Sequence, residues 1–183
     1  MLQKKEKQIL FVLLPLIILI CGLLYSLNFD VDITNVNSQN RVYDTTDFPF
    51  DGRTIARLSC VPIEYVQGEL LTPEEFDASD SIMYGPASEA GNVVTSRLRI
   101  IVPENRIYAF AGRTGSYASR IFVNGVLLSE VGTPGTSEDS MIASESFISF
   151  TARPENSVIE IVHQSSNFVF GEIFNHSPWH MGF

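Results

Sequence analysis

Few residues of the chain have the type and spacing that metal binding requires. The histidines are His163, His176 and His180. His176 and His180 are spaced i, i+4 around Pro178, and this proline opposes the helix that would bring both imidazoles onto one zinc ion. His163 alternates with isoleucines in a strand-like segment, so we expect it to be buried and not to bind a metal. The sequence therefore predicts no metal site.

Nucleophilic catalysis has equally little support. No serine lies in a G-x-S-x-G turn. Cys60 is the only cysteine outside the first 27 residues, and we expect it to act as a small buried apolar side chain. The acidic residues are numerous, but they form no D-x-D-x-D calcium loop. We therefore expect no catalytic residue, no cofactor and no enzyme activity in this chain.

The charges divide the chain into two unlike parts. Lys4, Lys5 and Lys7 are the only lysines, and they precede a long apolar run. From Asn28 onward, nine arginines stand against 20 of the 21 acidic residues, which gives a net charge of −11. Such a body repels phosphate backbones, so no nucleic-acid partner is expected.

The apolar run Ile9–Leu27 predicts a membrane anchor. It has 19 uncharged residues, which at 1.5 Å per residue just span a bilayer core of about 30 Å. A cleaved signal peptide is disfavoured because it needs a small-x-small cleavage site, which is absent before Asn28. A lipid anchor at Cys21 is disfavoured because its processing needs a small residue at the position of Ile20. The lysines keep residues 1–8 in the cytoplasm. We expect a single-pass protein of the cell membrane whose remaining residues are extracytoplasmic.

The exported part carries strand signals rather than helix signals. Residues 28–56 are polar and are expected to form a linker with at most one short edge strand. Short segments rich in β-branched and aromatic residues then alternate with turns; they are Val93–Val102, Arg106–Gly112, Ser119–Gly125, Ser146–Ala152 and Ser157–Gln164. One helical turn is expected after Thr72, with Pro73 first and Glu75 completing a capping box. The prediction for residues 57–183 is an all-β antiparallel sandwich.

The centre of this region has the most specific pattern. Asn124-Gly125 predicts a type I′ hairpin turn, and Gly132-Thr-Pro-Gly135-Thr-Ser137 follows as a loop. Together with GELLTPEEF (Gly68–Phe76) and the closing SSNFVFGEIF, these segments resemble the extracellular sensor domain of bacterial seven-transmembrane receptors with diverse intracellular signalling modules (7TMR-DISM). The resemblance covers roughly Leu58 to Gly182. It departs at Ile63, where the family has tryptophan, and at Gly171, where two glycines are usual.

The resemblance implies a galactose-binding-like jelly roll and a sensory role. It implies an extracytoplasmic ligand-binding domain of a signalling receptor, without the kinase or cyclase output module, and a possible homodimer. Jelly-roll modules of this kind hold sugars with an aromatic platform and a few polar groups. Arg113, Tyr117, Arg120 and Trp179 supply those types, and they are the predicted ligand-binding residues.

Charge favours a neutral or cationic small molecule, and the residue types at the predicted site favour a carbohydrate. A body of net charge −11 disfavours anions unless arginines are clustered locally, and the loop at Gly112–Arg120 holds only two arginines. Two alternatives stay open: a sugar-binding accessory domain of a cell-surface glycosidase, and a structural envelope module that pairs edge strands with another protein.

Overall fold

A computed structural model describes residues 32–58, 63–85, 91–169 and 179–182; at residues 113–117, 145–146 and 179 it describes the backbone alone. Its strands are β1 (Asp32–Val36), β2 (Tyr43–Asp44), β3 (Thr54–Leu58), β4 (Ile63–Gln67), β5 (Met83–Gly85), β6 (Val93–Ile101), β7 (Tyr108–Val123), β8 (Val126–Val131), β9 (Ser144–Ala152), β10 (Val158–Ser166) and β11 (Trp179–Gly182). Helix in the described ranges is confined to α1 (Pro73–Asp77) and a 3-10 turn (Glu138–Ser140). The all-β prediction is confirmed.

The strands form two sheets that share β7. The first sheet has the order β1-β3-β11-β7-β9, and the second has the order β8-β7-β10-β6-β4-β5. The pairings of known register are antiparallel, except that β2 runs parallel to the end of β6. Inward side chains of both sheets form one apolar core, which includes Leu58, Phe110 and Met181 from the first sheet and Leu98, Ile121 and Ile161 from the second. This is the layering of a β-sandwich.

Strand β7 differs from its prediction. The sequence predicts separate strands at Arg106–Gly112 and Ser119–Gly125 with a loop between them, whereas the backbone continues as one strand from Tyr108 to Val123. Its first half pairs with β9 and β11 and its second half with β8 and β10, with a register shift between Thr114 and Tyr117. Because each half has partners in a different sheet, the chain passes between the layers as one irregular strand instead of turning back.

The local signals of the sequence are realised where they were expected. Asn124 and Gly125 have φ values of 47° and 78°, and they join β7 to β8 as a type I′ turn requires. At the start of α1 the Thr72 hydroxyl accepts a hydrogen bond from the Glu75 amide, and the Glu75 carboxylate accepts one from the Thr72 amide at 2.8 Å. The predicted hairpin and the predicted capping box are both confirmed.

The segment expected as a linker belongs largely to the folded unit. The described residues from Ile33 onward belong to one compact unit, and β1, β2 and β3 begin before residue 57. Tyr43 is buried in the core because β2 lies along Ile100 and Ile101 of β6. No helix of the described residues is long and apolar enough to span a bilayer. The run Ile9–Leu27 lies outside the described residues, as do Cys60 and His176, so the membrane anchor stays a prediction.

Candidate functional site

The structure describes three of the four predicted binding residues, Arg113, Tyr117 and Trp179, by their backbone alone. Arg113 and Tyr117 lie on β7 on either side of its register shift, opposite Phe147 and Ser144 of β9. Trp179 begins β11, opposite Leu58 of β3. The backbone of these three residues is described and their side chains are not, so their part in a binding site stays a prediction.

The fourth predicted residue, Arg120, is engaged in an ion pair. It lies on the second half of β7, directly opposite Glu130 of β8. Its Nε donates to one Glu130 oxygen at 2.9 Å and its Nη2 to the other at 3.3 Å. This bidentate pair uses two of the five N–H donors of the guanidinium, so a ligand at Arg120 would share it with the Glu130 carboxylate.

His163 is buried on the core face of the second sheet, as its alternation with the isoleucines predicted. Its Nε2 lies 2.9 Å from the Ser165 hydroxyl oxygen, and Ser165 is also buried. Burial lowers the pKa of His163 to about 4, so the imidazole is neutral at pH 7. A serine and a histidine within hydrogen-bonding distance resemble part of a hydrolytic dyad, but this pair faces the sandwich interior, where a substrate has no access.

A cluster of charged residues on the outer face of the second sheet is the better candidate site. It is centred on Glu64 of β4, whose cross-strand neighbours are Tyr84 of β5 and Arg97 of β6. Arg99 lies two residues along β6, and Arg41 reaches over from the turn before β2. We call this group of five residues, Arg41, Glu64, Tyr84, Arg97 and Arg99, the Glu64 cluster.

The Glu64 carboxylate holds three guanidinium groups although its side chain is only 3% exposed. Arg97 Nε donates to Oε2 at 2.8 Å, Arg99 Nη2 lies 3.2 Å from both oxygens, and Arg41 Nη1 lies 3.4 Å from Oε1. A buried carboxylate is costly unless it is paired and hydrogen-bonded, and these contacts meet that need.

Arg97 is the structural anchor of the cluster. It is nearly buried, with its guanidinium 4.8 Å from the centre of the Phe76 ring and its Nη1 paired with Asp77. Glu160 lies 3.9 Å from the same nitrogen. Burial opposes the charge, but the hydrogen bond to Glu64 and the neighbouring carboxylates outweigh it and raise the pKa of Arg97. Burial also raises the pKa of Glu160, with Arg97 opposing that shift.

Arg41 and Arg99 are the open members of the cluster. Their side chains are 56% and 35% exposed. Arg41 sits in a two-residue turn closed by hydrogen bonds between Gln39 and Val42, and its φ of 67° is unusual for a residue with a side chain. This turn carries its guanidinium to 5.4 Å from the centre of the Tyr84 ring. The open side of the cluster therefore combines two cations with one partly exposed aromatic ring, which are groups that bind anions and sugar rings.

The sequence contains two signals for this site. Glu64 is a charged residue in the otherwise apolar strand IEYV, and Arg97 and Arg99 alternate with apolar residues in the predicted strand at Val93–Val102. The predicted binding residues did not include Glu64, Arg97 or Arg99, because alternation shows on which face of a sheet a residue lies but not which residues of other strands it meets. A metal site is not suggested: the described residues contain no group of three His, Cys, Asp or Glu side chains placed to hold an ion.

Comparison with known proteins leaves the family open. No protein-family model matches the chain, and no curated protein matches it. Two similar solved structures are crystal structures of β-glucosidase from Kluyveromyces marxianus, one selenomethionine-labelled and one in complex with glucose. They show 9% and 11% identity over 67% and 80% of this chain, with TM-scores of 0.35 and 0.36. The alignments cover 16% and 18% of those longer chains, and likenesses this weak carry no argument about fold or function.

Proposed function

We propose that the chain is an extracytoplasmic ligand-binding domain of a bacterial membrane signalling receptor, anchored by residues 9–27. The lysine asymmetry around the apolar run and the acidic, all-β body behind it support this reading. In this proposal the domain binds a small molecule, signals through parts of a receptor beyond this chain, and does no chemistry itself.

The observation that carries the proposal is the structural role of the family-like segment. Asn124 not only forms the turn; its side-chain amide donates to the Arg153 carbonyl and its side-chain oxygen accepts from the Glu160 amide, both at 2.9 Å. Gly132 has a φ of 65°, and a Cβ there would lie 2.2 Å from a backbone oxygen of Ile142. These residues fix how β7, β8 and β10 meet, so the segment on which the resemblance rests also specifies the sandwich.

The second glycine of the segment supports the same conclusion. A Cβ on Gly135 would lie 2.4 Å from the Ser140 hydroxyl, and the Gly135 amide donates to the hydroxyl of Ser166 at the end of β10. The loop thus packs tightly onto the second sheet. These contacts support the proposal that the sandwich is a jelly roll of the sensor-domain kind.

A structural envelope module is the second candidate, and β8 is the observation that favours it. Among the described strands β8 pairs with β7 alone, and it exposes the consecutive apolar residues Val126, Leu127 and Leu128. Exposed apolar edge strands are sites where another protein can add a strand. A bulge between β7 and β8 interrupts this edge, which weakens it as a template.

Two experiments test the receptor proposal. Protease added to intact cells should digest the body of the chain and leave residues 1–27 protected; full protection of the body would refute the topology. The full chain in lipid nanodiscs should then be screened by thermal shift against monosaccharides, amino acids and organic acids. Stabilisation by a small molecule supports a sensor, whereas capture of a protein partner with no small-molecule effect supports the envelope module.

A further inference from the structure

We infer that the open side of the Glu64 cluster binds the carboxylate of an acidic sugar between Arg41 and Arg99. The inference rests on the proposed ligand-binding function and names the class of its ligand. It also replaces the expectation of a neutral or cationic ligand, because that expectation held only if the arginines were not clustered.

The first step is the local charge. In the described ranges, Arg41 and Arg99 each have Glu64 as their only carboxylate within ion-pair distance. Asp77 and Glu160 are paired with Arg97 instead. The three arginines of the cluster are balanced by Glu64, Asp77 and Glu160, and Glu160 lies directly opposite Arg99, so the cluster is close to neutral within a strongly acidic domain. An anion is therefore repelled less here than at most of the remaining surface, and the partly exposed guanidinium groups of Arg41 and Arg99 offer it hydrogen-bond donors.

The second step concerns the unused donors. A guanidinium has five N–H groups arranged to grip a carboxylate with two parallel hydrogen bonds. The described hydrogen bonds of Arg99 all leave from Nη2, and its Nε is buried, so Nη1 is the group it can offer to a ligand. Arg41 uses Nη1 in its described hydrogen bond, which leaves Nε and Nη2. Glu64 thus holds both head groups in place while each keeps donors for a ligand, which reduces the ordering cost of binding.

The third step is the ring beside the cations. Tyr84 is 39% exposed and lies under the Arg41 guanidinium, so an apolar surface adjoins the charged one. Its hydroxyl lies 3.5 Å from the hydroxyl of Ser38, which adds polar groups at the rim. A sugar ring offers an apolar face and a rim of hydroxyls, and a carboxylate on that ring would meet the arginines.

Arg97 shows what a purely structural arginine looks like in the same cluster. It is nearly buried, pairs with two carboxylates at close range and covers an aromatic ring. Arg41 also lies over an aromatic ring, that of Tyr84, but it is mostly exposed and makes a single long contact with Glu64. Its guanidinium is therefore less committed to structural contacts than that of Arg97.

The test is calorimetric titration of the full chain in nanodiscs with five probes: glucuronate, galacturonate, glucose, galactose and acetate. The inference predicts that a uronate binds and that the matching neutral sugar and acetate bind at least tenfold more weakly. Arg41→Gln should weaken uronate binding roughly 10- to 100-fold, which is the loss expected for one charge-assisted contact. Tyr84→Leu should weaken it roughly 3- to 10-fold through loss of the ring. Arg41 lies in a surface turn, so its replacement leaves the core intact.

Arg106→Gln is the matched control, since it makes the same change in net charge at a partly exposed arginine paired with Glu104. It should leave uronate binding unchanged. Uronate binding that survives Arg41→Gln, or that falls equally in Arg106→Gln, would overturn the inference, and so would acetate binding as tight as uronate binding. Binding of glucose or galactose without preference for the acid would also overturn it while leaving the sensor proposal standing. If no probe binds and the wider screen is also empty, the ligand-binding function itself fails.

Discussion

Replacing the buried Glu64 by glutamine should destabilise the domain by about 2–3 kcal/mol. Breaking a buried ion pair by removing one partner costs about 3–5 kcal/mol. Two features of the structure reduce that figure here. Arg97 keeps Asp77 and Glu160 as partners, so its charge is not left alone. Arg41 and Arg99 are partly exposed and regain water, and exposed pairs contribute only about 0–1 kcal/mol each.

The free energy of unfolding is measured by titrating the full chain in detergent with urea while the circular dichroism of its β-sheets is monitored. A loss of about 2–3 kcal/mol corresponds to a fall in Tm of roughly 5–10 °C for a chain of this length. Glu130→Gln is the control, because it removes a carboxylate from the half-exposed pair with Arg120 and should cost less than about 1 kcal/mol. Equal losses for the two variants would refute the idea that burial makes the Glu64 network structurally important.

Three further substitutions test the fold and its pH dependence by the same unfolding assay. Gly132→Ala should lower the free energy of unfolding by about 2 kcal/mol or more, because the new Cβ would meet a backbone oxygen at 2.2 Å. Gly125→Ala is the control, with a positive φ but open space; it should cost about 1 kcal/mol, and a larger loss there than at Gly132 would contradict the steric reasoning. Because the pKa of His163 is lowered to about 4, the unfolded chain binds the proton first as the pH falls, and the free energy of unfolding should decline by roughly 3 kcal/mol between pH 6.5 and 4. His163→Gln should flatten this part of the pH profile, and an unchanged slope would show that other groups cause the decline. Thr72→Ala removes the cap of α1 and should cost about 1 kcal/mol, with Thr72→Ser close to the native value; equal losses for both would show that the hydroxyl does not cap the helix.

The parts of the fold that could be predicted were those encoded by neighbouring residues. The alternation around Val93–Ile101 placed Arg97 and Arg99 opposite the core, and the alternation of His163 with isoleucines predicted its burial. Asn124-Gly125 and Thr72-Pro73 fixed a turn and a helix start, because left-handed φ values and capping hydrogen bonds depend on a few adjacent residues. By contrast, the break predicted in β7 was wrong, since partners from two different sheets hold its halves in one strand.

The sequence alone determined the all-β class, the acidic surface and the lysine-flanked apolar run, because each follows from composition or from a period of two residues. The tertiary structure alone decided which charges meet. Arg120, a predicted ligand-binding residue, has Glu130 as its cross-strand neighbour on β8, and Glu64 is surrounded by Arg41, Arg97 and Arg99. Arg41 comes from a turn and Arg97 and Arg99 come from β6, and strand register, not spacing along the chain, brings Arg97 and Arg99 within hydrogen-bonding distance of Glu64 on β4. Register is set by the collective burial of both sheet faces, and no single segment of the sequence contains that information.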